Sequence, residues 1–198
     1  MAYVLADNII SPLGETSEEN YLAVKAGKSG IHTYAKGSNG IPDGFVASLM
    51  SCDFEKLVLD SAKKAIEASH VDVAHEKVAL ILSSTKGGIE KLGKVDDEDI
   101  ELGTLAERIA QQLGILTKPF VVCNACISGL SALILASRLL SAEKYDYAVV
   151  CGCDCPDRFV VSGFQSLKAL STEPCRPFDI ERFGLNLGEA VALSLIHI

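Results

Sequence analysis

Cys126 stands at the end of the run Pro119-Phe-Val-Val-Cys-Asn-Ala-Cys and ahead of a long stretch of small and apolar residues. That pattern places a thiol where a strand turns sharply into a helix, the geometry of a nucleophile elbow with sulfur replacing a hydroxyl oxygen. A helix N-terminus carries partial positive charge and unpaired amides, and both favour thiolate over thiol. The same amides are suited to hold an oxyanion formed when the sulfur attacks a carbonyl. The plainer alternative is a buried cysteine packing as a small hydrophobe.

Other thiols compete for attention. Cys123 and Cys126 form a C-x-x-C, and Cys151-Gly-Cys153-Asp-Cys155 adds three more, so a zinc or redox site is the natural rival. Alternation along a strand puts Cys151, Cys153 and Cys155 on one face, which small side chains packed under a helix explain equally well. Structural zinc takes paired cysteine knuckles in loops, whereas these cysteines lie in or beside apolar strands. The run Ser83-Ser-Thr-Lys-Gly-Gly88 lacks the spacing of a phosphate loop and reads as a turn. His32, His70, His75 and His197 are scattered, and none is near Cys126 in sequence.

The elements that must hold these residues follow from periodicity. Strands are expected at 3–6, 77–83, 119–125, 145–151 and, for the most part, 185–198. Thr16-Ser-Glu-Glu19 is a capping box opening a helix that Gly27 closes, and Asp53 caps a second helix bearing Phe54, Leu57, Val58, Ala62, Ala65 and Ile66. Further helices are expected at 104–113, ended by Gly114, at 126–142 and at 159–170, with a turn at 174–178. The acidic run 96–101 reads as a solvated loop or helix start. Strands alternating with helices predict an α/β fold around a mixed, mainly parallel sheet.

Segment 126–142 departs from an ordinary α/β helix. Arg138 is its only charge, and apolar or small side chains face every direction. Such a helix must be covered on all sides, which puts it between two sheets. The final strand runs out without a turn or cap, so the 198 residues read as the first part of something longer.

Composition narrows the function. Eighteen basic against 26 acidic residues give a net charge of −8, which disfavours general binding to nucleic acid or anionic membrane but leaves room for one small basic docking patch. No apolar run approaches the roughly 18 residues of a membrane span, and the start lacks a basic signal-peptide region. Seven cysteines, odd in number and not spaced as a disulfide scaffold, predict reduced thiols and a cytoplasmic protein.

Asn124-Ala-Cys126-Ile-Ser-Gly129 resembles the nucleophile motif of the β-ketoacyl-acyl carrier protein synthases, the condensing enzymes of fatty-acid and polyketide or polyene synthesis. Four further segments agree in order: Ile10-Ser-Pro-Leu-Gly14, Ala26-Gly-Lys-Ser-Gly-Ile31, Gly163-Phe-Gln-Ser-Leu-Lys168-Ala-Leu-Ser171, and the closing Arg176-Pro-Phe-Asp179 with Arg182, Gly184 and Leu187-Gly-Glu189. Ala6-Asp-Asn8 departs from the family's glycine-rich opening, and Gly188-Glu-Ala190 from its usual Gly-Glu-Gly.

The resemblance implies a thiolase-like fold, two similar α/β halves in five layers with the cysteine helix at the centre. Residues 1–198 would be the N-terminal domain, and the absent C-terminal half would hold two catalytic histidines, a lysine and a gating loop. It implies an acyltransferase of the elongating type, with Cys126 as nucleophile and its N–H in the oxyanion hole, Phe164 at the acyl entrance and Lys168 docking acyl carrier protein. Malonyl-carrier protein would lose carbon dioxide and condense with the acyl chain held on Cys126, without metal or organic cofactor, in a homodimer. A non-catalytic ketosynthase-like partner subunit and a thiol-based zinc or redox module remain the alternative readings.

Overall fold

The computed structural model describes residues 2–38, 43–50, 53–75 and 77–197. The elements run β1 (Tyr3–Ile10), α1 (Ser17–Lys25), β2 (His32–Tyr34), β3 (Phe45–Ser48), α2 (Phe54–Ser69), β4 (Val78–Ser83), α3 (Leu102–Leu113) and β5 (Phe120–Val122). They continue with α4 (Ser128–Ser141), β6 (Tyr147–Asp154), α5 (Arg158–Ser166), β7 (Leu187–Gly188) and β8 (Ala190–His197).

Local chemistry sets the helix ends. Thr16 caps α1 with both halves of the capping box formed, and Asp53 accepts from the Lys56 N–H to cap α2. Gly114 ends α3 at φ +74°, a left-handed turn that costs glycine little. The acidic stretch forms a short 3₁₀ turn, Asp97–Ile100, and Asp96, Glu98 and Glu101 are exposed.

Five strands form one sheet in the order β1-β8-β6-β4-β5, and β2-β3-β7 form a smaller one. The sheet is mixed, as expected: β6-β4-β5 pair in parallel, while β8 pairs antiparallel with both β6 and β1, so two of the four pairings are antiparallel. The reason lies in the connection. After β6 the chain stays at that strand's carboxyl end through α5 and β7, and Ala190 opens β8 opposite Asp154. A parallel return would need a crossover to the other end of the sheet.

Alternation along β4 divides the core. Leu80 and Leu82 face a cluster sealed by α2 and α3, while Ala79 and Ile81 face α4. Cys151, Cys153 and Cys155 join the first cluster as small packing residues. Helix α4 seats Ala132, Ala136 and Leu140 on the sheet and leaves Leu130, Leu133 and Ile134 exposed. It is thus covered on one side, where all-round apolarity predicted two.

One expectation about thiols fails. Cys155 is disulfide-bonded, whereas Cys123, Cys126, Cys151, Cys153 and Cys175 are free. Cys52 and Ile198 lie outside the described residues. Among the described residues no helix is long and apolar enough to cross a membrane.

Candidate active site

Strand β5 is three residues long and stops at Val122, shorter than its apolar run suggests. Asn124 then turns the chain, and Ala125 takes φ +47°, a conformation that non-glycine residues rarely adopt. Cys126 sits in the middle of the 3₁₀ turn Ala125–Ile127, ahead of α4 rather than on its first turn as expected. The buried Ser128 explains the offset. Its Oγ accepts from the Asn124 N–H at 2.7 Å and donates to the Ala125 carbonyl at 2.7 Å, tightening the corner before α-helical bonding begins. Asn124 Nδ2 donates to Ser131 Oγ at 3.2 Å and fastens the turn to α4 from outside. A backbone held in a sparsely populated conformation by such bonds is the hallmark of an elbow.

Cys126 is exposed and opens into a cleft of about 420 Å³ at the carboxyl ends of β4 and β6. Its N–H donates to no intramolecular acceptor among the described residues, so it is available to an incoming oxyanion. Across the cleft, one Asp154 oxygen, Oδ1, accepts from Ser84 Oγ at 2.9 Å, the Thr85 N–H at 2.9 Å and Thr85 Oγ1 at 3.0 Å. These bonds tie the ends of β4 and β6 together and fix one wall.

The remaining thiols contrast with Cys126. Burial pushes Cys151 up to about 12. Burial first, then the neighbouring Cys151, Asp154, Glu90 and Glu189, raises Cys153 well above the ordinary thiol range. Thiols held protonated in an apolar core are poor nucleophiles and poor metal ligands. Among the described residues no group of three or more His, Cys, Asp or Glu side chains is arranged to hold a metal ion.

Phe164, on α5, lines the same cleft as Cys126. Lys168 does not. It is exposed, two residues beyond α5, at φ +53°, where its N–H donates to the Gln165 carbonyl at 2.9 Å and closes the helix. None of the four histidines lines the cleft. His197 lies at the opposite end of β6, stacked on Tyr147 with ring centroids 4.9 Å apart.

Sequence reasoning gave no role to Ser128, Asp154 or Glu189, although Ser128 and Glu189 lie within the quoted motifs. A serine two residues beyond the thiol was a legible signal, since early helical serines bond back to the turn. A lone acid closing an apolar strand was another. Glu189 is buried, accepts from the Met50 N–H and is raised to about 7 by burial, with the Glu90 charge adding to the shift.

A family model described as the N-terminal domain of beta-ketoacyl synthase matches residues 50–197. The chain belongs to the beta-ketoacyl synthase family. Its curated relatives include 3-oxoacyl-[acyl-carrier-protein] synthase 2 of Vibrio cholerae serotype O1, 27% identical over 96% of this chain and 56% of the relative. Nodulation protein E of Rhizobium sp. (strain N33) is 28% identical over 69% of this chain and 32% of the relative. The matched region thus spans 32% and 56% of the lengths of these two relatives. The solved ketosynthase ApeO, in complex with its chain length factor ApeC from Xenorhabdus doucetiae, superposes with a TM-score of 0.82 at 22% identity, over 99% of this chain and 57% of that one. The ketosynthase from module 6 of the bacillaene synthase of Bacillus subtilis 168 gives 0.86 at 16% identity, over 100% and 39%. The fold is therefore thiolase-like, and this beta-ketoacyl synthase chain carries its N-terminal part.

Proposed function

We propose that Cys126 is the acyl-carrying nucleophile of an elongating beta-ketoacyl synthase. The observation that carries this reading is the corner itself: an exposed thiol at a strained strand-to-helix turn, beside an unpaired N–H and inside a cleft. Cys126 gives up its proton and its sulfur attacks the carbonyl of an acyl-carrier-protein thioester; the carbon–sulfur bond to the carrier breaks, and the carrier sulfur takes up that proton as it leaves as a thiol. Malonyl-carrier protein then loses carbon dioxide, and the resulting carbanion attacks the acyl group on Cys126. The carbon–sulfur bond to Cys126 breaks as the new carbon–carbon bond forms, releasing a β-ketoacyl-carrier protein two carbons longer. Passing through a covalent intermediate divides one difficult step into two easier ones.

In this reading Phe164 borders the acyl entrance, Lys168 meets the acidic carrier protein, and β5, at the sheet edge, joins two copies in a cytoplasmic homodimer. The family resemblance assigns the proton-transfer work of condensation to histidines of a C-terminal half, and among the described residues no histidine lines this cleft. The structure of a type II polyketide ketosynthase solved with its acyl-carrier protein, which shares this fold at a TM-score of 0.80, supports the choice of partner class.

Alkylation or cerulenin labelling followed by peptide mapping tests the nucleophile. Cys126 is expected to label ahead of the other thiols, and Cys126→Ala to abolish acylation while leaving the fold intact. Preferential labelling of Cys151 or Cys175 overturns the assignment. For the carrier, Lys168→Glu is expected to weaken binding in a salt-dependent way, because exposed charges are screened over about 10 Å at 0.1 M salt. Unchanged affinity at low salt removes Lys168 from the docking surface.

A further inference from the structure

We propose that Lys86 selects acyl chains bearing an anionic group, such as a carboxylate or an acidic phenol, a reading that rests on the assignment of Cys126 as the acyl-carrying nucleophile. Apolar and small residues, among them Phe164, Leu187, Val160 and Pro156, make up most of the Cys126 cleft, and its charged lining residues among those described are Asp154 and Lys86. The two are not equivalent. Asp154 already holds three donors on Oδ1, and its charge serves the junction of β4 and β6. The Lys86 ammonium reaches only the carbonyl of its own neighbour Thr85, at 3.4 Å, and pairs with no carboxylate among the described residues.

The backbone under Lys86 is anchored. The Ser84 hydroxyl donates to Asp154 and accepts from the Lys86 N–H at 3.4 Å and the Gly87 N–H at 2.9 Å. Gly87 has φ +59°, and a Cβ there would stand 3.0 Å from Leu105 Cδ1 and 3.1 Å from the Ile100 carbonyl oxygen. The loop is wedged against the sealed core, which fixes the backbone from which the exposed Lys86 side chain extends.

Lys86 stands at a junction. An adjoining cleft of about 840 Å³ shares Lys86, Val160 and Phe164 with the Cys126 cleft and adds exposed apolar side chains from Leu92, Phe159 and Leu167. It also holds Glu90, Lys94, Asp157 and Arg158. Glu90 is engaged with the Phe54 N–H through Oε1, and Lys94 with the Glu90 carbonyl. Asp157 caps α5. An acyl chain leading from Cys126 past Phe164 into this space meets the Lys86 ammonium on the way. A hydrocarbon there strips water from the charge and returns nothing, whereas an anion forms a charge-assisted hydrogen bond.

Acylation of Cys126 in the full chain, followed by intact-protein and peptide mass spectrometry, tests the proposal. The donors are N-acetylcysteamine thioesters and, in parallel, phosphopantetheine thioesters, each of equal length and ending in a methyl or a carboxylate group; Cys123 and Cys175 report background reaction. The wild type is expected to take the carboxylate-ended chain about tenfold or more faster, Lys86→Arg to keep that preference and Lys86→Met to erase it. Equal rates for both chains, or a preference untouched by Lys86→Met, overturn the role of Lys86 alone. An effect seen only with phosphopantetheine thioesters assigns the lysine to the carrier arm's phosphate and overturns the acyl assignment. Failure of both chains to acylate Cys126 overturns the nucleophile reading and this inference with it.

Discussion

The two faces of the large sheet are built from the same strands yet finished differently. On one face α2 and α3 are amphipathic, and Phe54, Val58, Ala62, Leu105 and Ile109 are fully buried against Leu80, Leu82, Leu193 and Leu195. On the other, α4 is apolar on every side but meets only the sheet, leaving Leu130 60% exposed and Ile134 43% exposed. Elsewhere the closing loop also leaves Phe178, Ile180 and Phe183 exposed. The difference separates two jobs. The sealed face supplies stability, and the open one supplies a surface that needs covering, with the candidate nucleophile at its rim.

The largest test of that contrast is Leu82→Ala. It removes a fully buried side chain from the sealed cluster and should cost about 2–5 kcal/mol in denaturant unfolding. A loss below about 1 kcal/mol would show the cluster to be loosely packed. Ser128→Ala comes next. It strips two bonds from the corner and should cost about 1–2 kcal/mol while slowing Cys126 alkylation more than Cys123 alkylation. Equal slowing at both thiols would detach Ser128 from the elbow.

The sealed face also predicts a pH dependence. Glu189, buried where β7 meets β8, keeps its proton in the folded state up to about 7, against an ordinary value of 4.5. The native state therefore binds more protons than the unfolded chain between these values, so stability falls as pH rises from 4.5 through about 7. Melting temperatures should be lower at about pH 8 than at about pH 5, and Glu189→Gln should narrow the gap. An unchanged gap in the variant would assign the slope to other groups. The smallest stability effect is expected on the open face. Leu130→Gln and Leu133→Gln should shift unfolding by no more than about 0.5 kcal/mol yet reduce self-association and hydrophobic-dye binding. Undiminished association would move the sticky surface elsewhere.

Much of this is legible in the sequence. The Thr16 capping box, the Asp53 cap and the Gly114 stop sit where side-chain chemistry dictates, because each is decided within a few residues. Strand β1 was harder to read. Asp7 and Asn8 look like its end, yet Asn8 is buried through a bond to Ser61 Oγ at 3.1 Å, a partner 53 residues away, and the strand continues to Ile10. The direction of β8 depended on a route that periodicity does not encode. The site divides in the same way. Cys126 and Phe164 lie in motifs, whereas Lys86 and Asp154 become cleft residues only because β4 and β6 end side by side.

Strand order also governs when this domain can form. Tyr3 pairs with His197, so among the described residues β1 finds its one strand partner in β8, about 180 residues on. At synthesis rates of about 5–20 residues per second, β1 waits roughly 10–40 s for β8 to emerge. Through that interval its Tyr3, Val4 and Leu5 present an unpaired edge, the kind of surface that recruits other chains. Joining the two closes a loop of nearly the whole sequence, which slows folding and makes it a late event. The sheet is thus completed only after α2 and α3 have been made, because β8 has to enter between β1 and β6.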